Sequence, residues 1–283
     1  MTFNYVPATV AIVFYIACFT LGEICRTITT RIFKQGTLPY IFLIEAIGTL
    51  QMCTCVYENG IMVKYYGPMG FFFTVTVLLA MASTYNRGSF GSPLAPIEMY
   101  CFNVIPLPKL LTVLFGQVLG GAYAFVCAKL LWYYTQHLAN EHSFQFKYAH
   151  KCVMNYKVDF IYVLLFEFVG CFVLRFLISK MSEKVKFYAI PVLVSSLLTS
   201  GIIFVGVGGL NPTVAASRLY GCLPVDKVWF VITYWITPVL GWLSAAYLIH
   251  NSTLKKVAPV VEKKDSVKEK KHTKKNNSAK KNN

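Results

Sequence analysis

Two carboxylates stand inside apolar runs, Glu45 in FLIEAIGTLQ and Glu167 in LLFEFVGCFVL. A carboxylate at that depth is costly and demands a partner. Each is followed by a further apolar run and then by a short segment with Pro near a helix start: GSPLAPIEMY after Glu45, GLNPTVAASRLY after Glu167. Glu45 lies 47 positions before Ser92 and Glu167 lies 44 before Asn211, so one half of the chain reads as a repeat of the other. Asn211 is a good N-cap, and Pro212 suits the first helical position, where its missing N–H costs nothing. The Asn oxygen caps the helix while its NH2 can donate to a passing oxygen. Ser92 and Pro93 offer a second helix start of the same kind.

The remaining reactive side chains form no chemical constellation. The nine Cys show no zinc or redox spacing: Cys53 and Cys55 share an apolar span, Cys25, Cys101, Cys127, Cys152, Cys171 and Cys222 are scattered, and buried free thiols are the default expectation. His137, His142 and His150 share one segment and are expected to be solvated rather than to bind metal. With no nucleophile, base or metal set, the expectation is a non-enzyme without catalytic residues, metal or cofactor.

These residues need a frame, and the composition supplies one. The chain has 283 residues, 56% hydrophobic and 16% aromatic, with a mean hydropathy of +0.53. Runs near twenty residues occur at about 6–21, 38–55, 67–83, 107–134, 160–179, 187–207 and 228–248. They predict an all-α membrane protein with seven spans, since continuous apolar runs argue against a barrel. Arg26, Arg31 and Lys34 follow the first span, which puts the N-terminus outside and that linker in the cytosol. Seven spans then place the C-terminus in the cytosol; Lys147, Lys151 and Lys157, in an outside loop, are the discord.

Setting the first span aside as an uncleaved anchor leaves six, three per half. An odd number per half forces opposite orientations, the inverted-repeat plan. Segments too short to cross dip in as loops and half-helices, with two positive dipole ends converging to disfavour cations and protons. The expected parts are an extra N-terminal helix and basic linker over 1–37, a channel-like unit over 38–250 with repeats at 38–135 and 158–250, and a disordered tail over 251–283. That tail carries much of the +15 net charge, with eleven Lys from Lys255 onward and no aromatic residue. It reads as a solvated cytosolic segment with weak attraction to anionic lipid, not a nucleic-acid binder.

The set Glu45 in EAIGT, Glu167 in EFVG, GGLNPT over 208–213 and YWITPVLGW over 234–242 resembles the aquaporin superfamily, from Leu38 to Leu248. The extra first span, EAIGTLQMCTC and Cys222, eleven positions after Asn211, are similar to the divergent branch of aquaporins eleven and twelve. The resemblance implies a right-handed bundle of six transmembrane helices plus two reentrant half-helices, a homotetramer with one pore per subunit, and Glu45 and Glu167 bracing the loops. It also marks departures. Ser92-Pro93-Leu94 stands where the family has Asn-Pro-Ala, with Ala95-Pro96-Ile97 as a competing register; Leu94 is expected to narrow or reshape the midpoint. Thr213 replaces an Ala, and Val214 replaces the selectivity Arg, which implies a less polar filter that relaxes water selectivity toward glycerol or hydrogen peroxide. Arg218 is expected to face packing or headgroups, and Glu98 a loop cation or the interface.

Lys280 and Lys281 near the end match a retrieval signal read by a coat receptor, which implies the endoplasmic reticulum, with the plasma membrane as the alternative. The Asn251-Ser252-Thr253 sequon falls on the cytosolic side, where it goes unused. The expected function is a passive channel for water and small neutral solutes. Its rivals are a structural protein with the same fold and a closed pore, which Ser92, Leu94 and Val214 favour, and an ion-coupled transporter, which sparse charge disfavours.

Overall fold

The computed structural model describes residues 4–149 and 151–251. Lys280, Lys281 and nearly all of the tail and sequon lie outside the described residues. The elements in order are α1 (Val6–Ile32), α2 (Leu38–Tyr85), α3 (Leu94–Cys101), α4 (Leu107–Thr135), α5 (Asn140–Tyr148), α6 (Phe160–Lys180), α7 (Glu183–Val205), α8 (Pro212–Leu219) and α9 (Lys227–Asn251). Six of them, α1, α2, α4, α6, α7 and α9, are long and apolar enough to cross a membrane. The protein is a multi-pass membrane bundle of helices.

The seven apolar runs of the sequence map onto these six helices, two of them onto α2. Its 48 residues would run about 72 Å at ~1.5 Å per residue, over twice the ~30 Å hydrocarbon layer. The backbone breaks at Gly67, with φ 67° and ψ −165°. Only glycine adopts that conformation at low cost, and Pro68 beyond it has no N–H to continue the ladder. The break separates the sequence spans 38–55 and 67–83.

Helix α1 is longer than its sequence span, and two of the residues assigned to the following linker belong to it. Arg26 is fully buried, with Nη1 donating to Gln51 Oε1 at 2.9 Å and Nε to Glu23 at 3.1 Å. Glu23 also pairs with Arg87, in the segment after α2. The cause is partnership: a guanidinium that finds an amide and a carboxylate does not need to be in a linker.

Helix α2 packs chiefly on α4, then on α1 and α7. A core of Phe14, Cys53, Tyr57, Ala124 and Trp132 joins α1, α2 and α4, while Val163, Phe230 and Tyr234 join α6 to α9. Both α7 and α9 contain a π turn, Gly201–Val205 and Ile232–Ile236. The second turn carries Tyr234, whose ring lies 2.6 Å from where a Cβ on Gly209 would sit.

Candidate functional site

The segments before α3 and α8 are held in the same way by the two membrane carboxylates. Glu45 accepts from the backbone N–H groups of Phe90 at 2.9 Å and Gly91 at 2.7 Å. Glu167 accepts from Gly209 and Leu210, both at 2.7 Å. Both are consecutive N–H pairs, and the next residues are Ser92 and Asn211. Backbone conformation repeats too: Gly91 has φ 61° and Leu210 φ 51°, both left-handed. Glu45 is 2% exposed and Glu167 fully buried, so each carboxylate depends on these donors in place of water.

The two segments also touch. Asn211 Nδ2 donates to the Gly91 carbonyl at 2.9 Å, one residue from Ser92. Asn211 Oδ1 simultaneously accepts from Thr213 N at 3.1 Å and Val214 N at 3.4 Å, so one amide caps α8 and bonds the other loop. Pro212 and Thr213 are buried at the first turn of α8. At α3 the cap is weaker: Ser92 Oγ accepts from Leu94 N at 3.5 Å, and Pro93 precedes the first helical residue. Ala95 and Pro96 lie inside α3, past its start.

Sequence reasoning missed Gln117. It donates from Nε2 to Glu45 at 2.8 Å and accepts from Thr213 Oγ1 at 3.1 Å, which links the brace of one loop to the helix of the other. Its signal was available, because a glutamine in the apolar run of α4 needs partners as a carboxylate does.

Packing accounts for several of the other site residues. Leu94 is 3% exposed and packs with Cys171, Leu174, Leu210 and Trp242. Val214 packs against the core of α1, α2 and α4. Glu98 pairs with a helix cation rather than a loop one: Arg175 on α6 donates to it twice, at 2.6 and 2.5 Å, and Trp242 Nε1 on α9 at 2.6 Å. Two parallel N–H groups fit a carboxylate better than a mobile lysine does. Arg218 holds its guanidinium 5.9 Å from the centre of the Tyr57 ring.

Two further expectations are overturned. His142 is not solvated but 3% exposed on α5, with Nε2 3.1 Å from Glu58 and Nδ1 2.6 Å from Thr135 Oγ1. Glu58, also buried, accepts from Trp132 Nε1 at 2.7 Å, so the carboxylate supplies the acceptor that lets the imidazole leave water. Cys152 and Cys222 are not free thiols but a disulfide, with Cα atoms 5.1 Å apart. Met154 N donates to Leu223 O at 2.7 Å alongside it, and that backbone pairing brings the two cysteines into bonding range.

Among the described residues no group of three or more His, Cys, Asp or Glu is placed to hold a metal ion. No protein-family profile matches the chain. It is 38% identical over 251 residues to putative aquaporin-10 of Caenorhabditis elegans, covering 87% of this chain and 88% of that protein. It is 23% identical over 243 residues to aquaporin-11 of Milnesium tardigradum, with 83% and 84% covered, and 23% identical over 215 residues to human aquaporin-11, with 73% and 76% covered. A helical membrane bundle together with these likenesses makes the chain a member of the aquaporin superfamily, in a divergent branch with the aquaporin-11 proteins, and a membrane transport protein rather than an enzyme.

Proposed function

We propose that the chain is a passive channel for water and small neutral solutes, glycerol and hydrogen peroxide among them, in an intracellular membrane. The observation that carries this reading is the bond from Asn211 Nδ2 to the Gly91 carbonyl. It brings the starts of two short helices together, each behind a carboxylate-braced loop. In this reading α3 and α8 are reentrant half-helices of an inverted repeat. Ser92, Pro93 and Leu94 form one pore motif, Asn211, Pro212 and Thr213 the other, and Glu45 and Glu167 brace them. Their positive ends meet at mid-membrane and repel cations. Val214 leaves the filter without a fixed charge, which favours neutral solutes larger than water.

Seven crossings put the N-terminus outside and the C-terminus in the cytosol. The Cys152–Cys222 disulfide supports this, since both cysteines then lie on the oxidising side. Lys157, discordant by charge, donates from Nζ to the carbonyls of Ile202 and Ile203, both at 3.0 Å. The Lys280-Lys281 pair addresses the protein to the endoplasmic reticulum through a retrieval coat, and four copies assemble as a homotetramer in membrane lipid. Purified protein in proteoliposomes tests the conduction: stopped-flow swelling in water and glycerol gradients should exceed lipid background and be lost in Asn211→Asp. Equal, background-level swelling in both rejects an open pore.

A further inference from the structure

Four polar residues of α1, Glu23, Arg26, Thr27 and Thr30, recur at three- and four-residue spacing and so lie along one face of the helix. Arg87, in the segment 86–93 that leads from α2 into α3, lies against that face. Its Nη2 donates to Glu23 and, at 3.2 Å, to Thr27 Oγ1; its Nη1 donates to Thr30 Oγ1 at 3.1 Å and to the Arg26 carbonyl at 3.3 Å. A planar fork of N–H donors meets these four acceptors at once, which a single ammonium cannot do in the same geometry. Arg87 itself stands at φ 49°, left-handed and uncommon for a residue with a side chain. Such a backbone persists where its surroundings overdetermine it. Beyond it, Ser89 packs on α2 so closely that a Cβ on Gly48 would overlap its hydroxyl, and Phe90 and Gly91 bond to Glu45 and lead into Ser92.

We propose that α1 is more than a membrane anchor: through Arg87 it positions the first loop, and with it Ser92 against Asn211, so that Arg87 is a positioning residue for conduction. The inference rests on the channel reading above. Glu45 holds the loop at its end and α1 holds it at its beginning. A stretch tied at one end keeps backbone freedom that a stretch tied at both ends has lost.

Hydrogen exchange and water permeability of the purified full chain, in the same proteoliposomes, test this. Arg87→Gly removes the guanidinium and relieves the left-handed backbone, so folding is spared. Amides over 88–92 should then exchange roughly tenfold faster while those over 207–211 keep wild-type rates. Water flux per protein should fall roughly fivefold or more. Thr27→Val with Thr30→Val, which strips two acceptors from α1, should lower flux about twofold by itself and add nothing to Arg87→Gly. Wild-type flux in Arg87→Gly, beside an Asn211→Asp control that has lost its flux, overturns the assignment and leaves the channel standing. Lower flux without faster exchange over 88–92, faster exchange in both loops alike, or valine losses that add to that of Arg87→Gly mean that α1 acts other than through this loop, and overturn it too. Water flux at lipid background in wild type overturns the channel reading and, with it, the role in conduction. Should Arg87→Gly not fold, the valine pair decides: faster exchange over 88–92 with lower flux supports the proposal, and wild-type values overturn it.

Discussion

The two loops before α3 and α8 solve one problem with unequal means. Both present two consecutive N–H groups to a membrane carboxylate and turn through a left-handed residue. The second loop uses Leu210 there, a residue that pays for φ 51° in backbone energy and is held by burial and by its bond to Glu167. The first uses Gly91, which adopts its φ freely. Asn211 then makes three bonds where Ser92 makes one. A single hydroxyl is smaller and has fewer sites than an amide. The first loop instead recruits help from outside, through Gln117 on Glu45. The stiffness of the pair is therefore concentrated in the second loop, with the first held against it.

Removing the braces should break this comparison most strongly. Glu167→Ala strands two buried N–H groups at ~1–3 kcal/mol each, so purified yield and the thermal midpoint in detergent should fall steeply. Glu45→Ala should cost less, because its bond from Phe90 N is only partly buried while both bonds to Glu167 are buried. Equal losses would mean that the two loops are equally stiff. Next, Asn211→Ser makes the second loop like the first; the hydroxyl still caps α8, but the Gly91 carbonyl loses its donor, which should lower stability by ~1–2 kcal/mol, seen as a lower midpoint. Gly91→Ala forces a Cβ into a left-handed residue at ~1–2 kcal/mol and toward Met52 Cε, 3.2 Å away. The smallest change runs the other way: Ser92→Asn should strengthen the start of α3 by a few tenths to ~1 kcal/mol, raising the midpoint slightly. A fall would show that the first loop has no room for the larger cap.

Much of this arrangement was legible residue by residue. Glu45 and Glu167 announced their need for donors because a charge in an apolar run has few stable surroundings. Asn211-Pro212 announced a helix start because N-cap chemistry is local. The apolar run over 67–83 began where the backbone of α2 breaks. Partners were harder. His142 looked solvated because Glu58, 84 positions away, is invisible to a local reading. Cys152 and Cys222 are separated by 70 positions and share no spacing motif. Glu98 was expected on a loop cation or at the interface, because its partners Arg175 and Trp242 are brought to it only by α6 and α9.

The chain alone determined the long apolar helices, the helix starts at Ser92 and Asn211 and which side chains must not be left without a partner, because apolar run length, capping chemistry and the cost of buried charge act locally. Only the tertiary structure decided who meets whom: Gln117 with Thr213, Asn211 with Gly91, Arg218 with Tyr57. Such pairings depend on how whole helices pack, and packing is set by shape summed over many residues rather than by any motif.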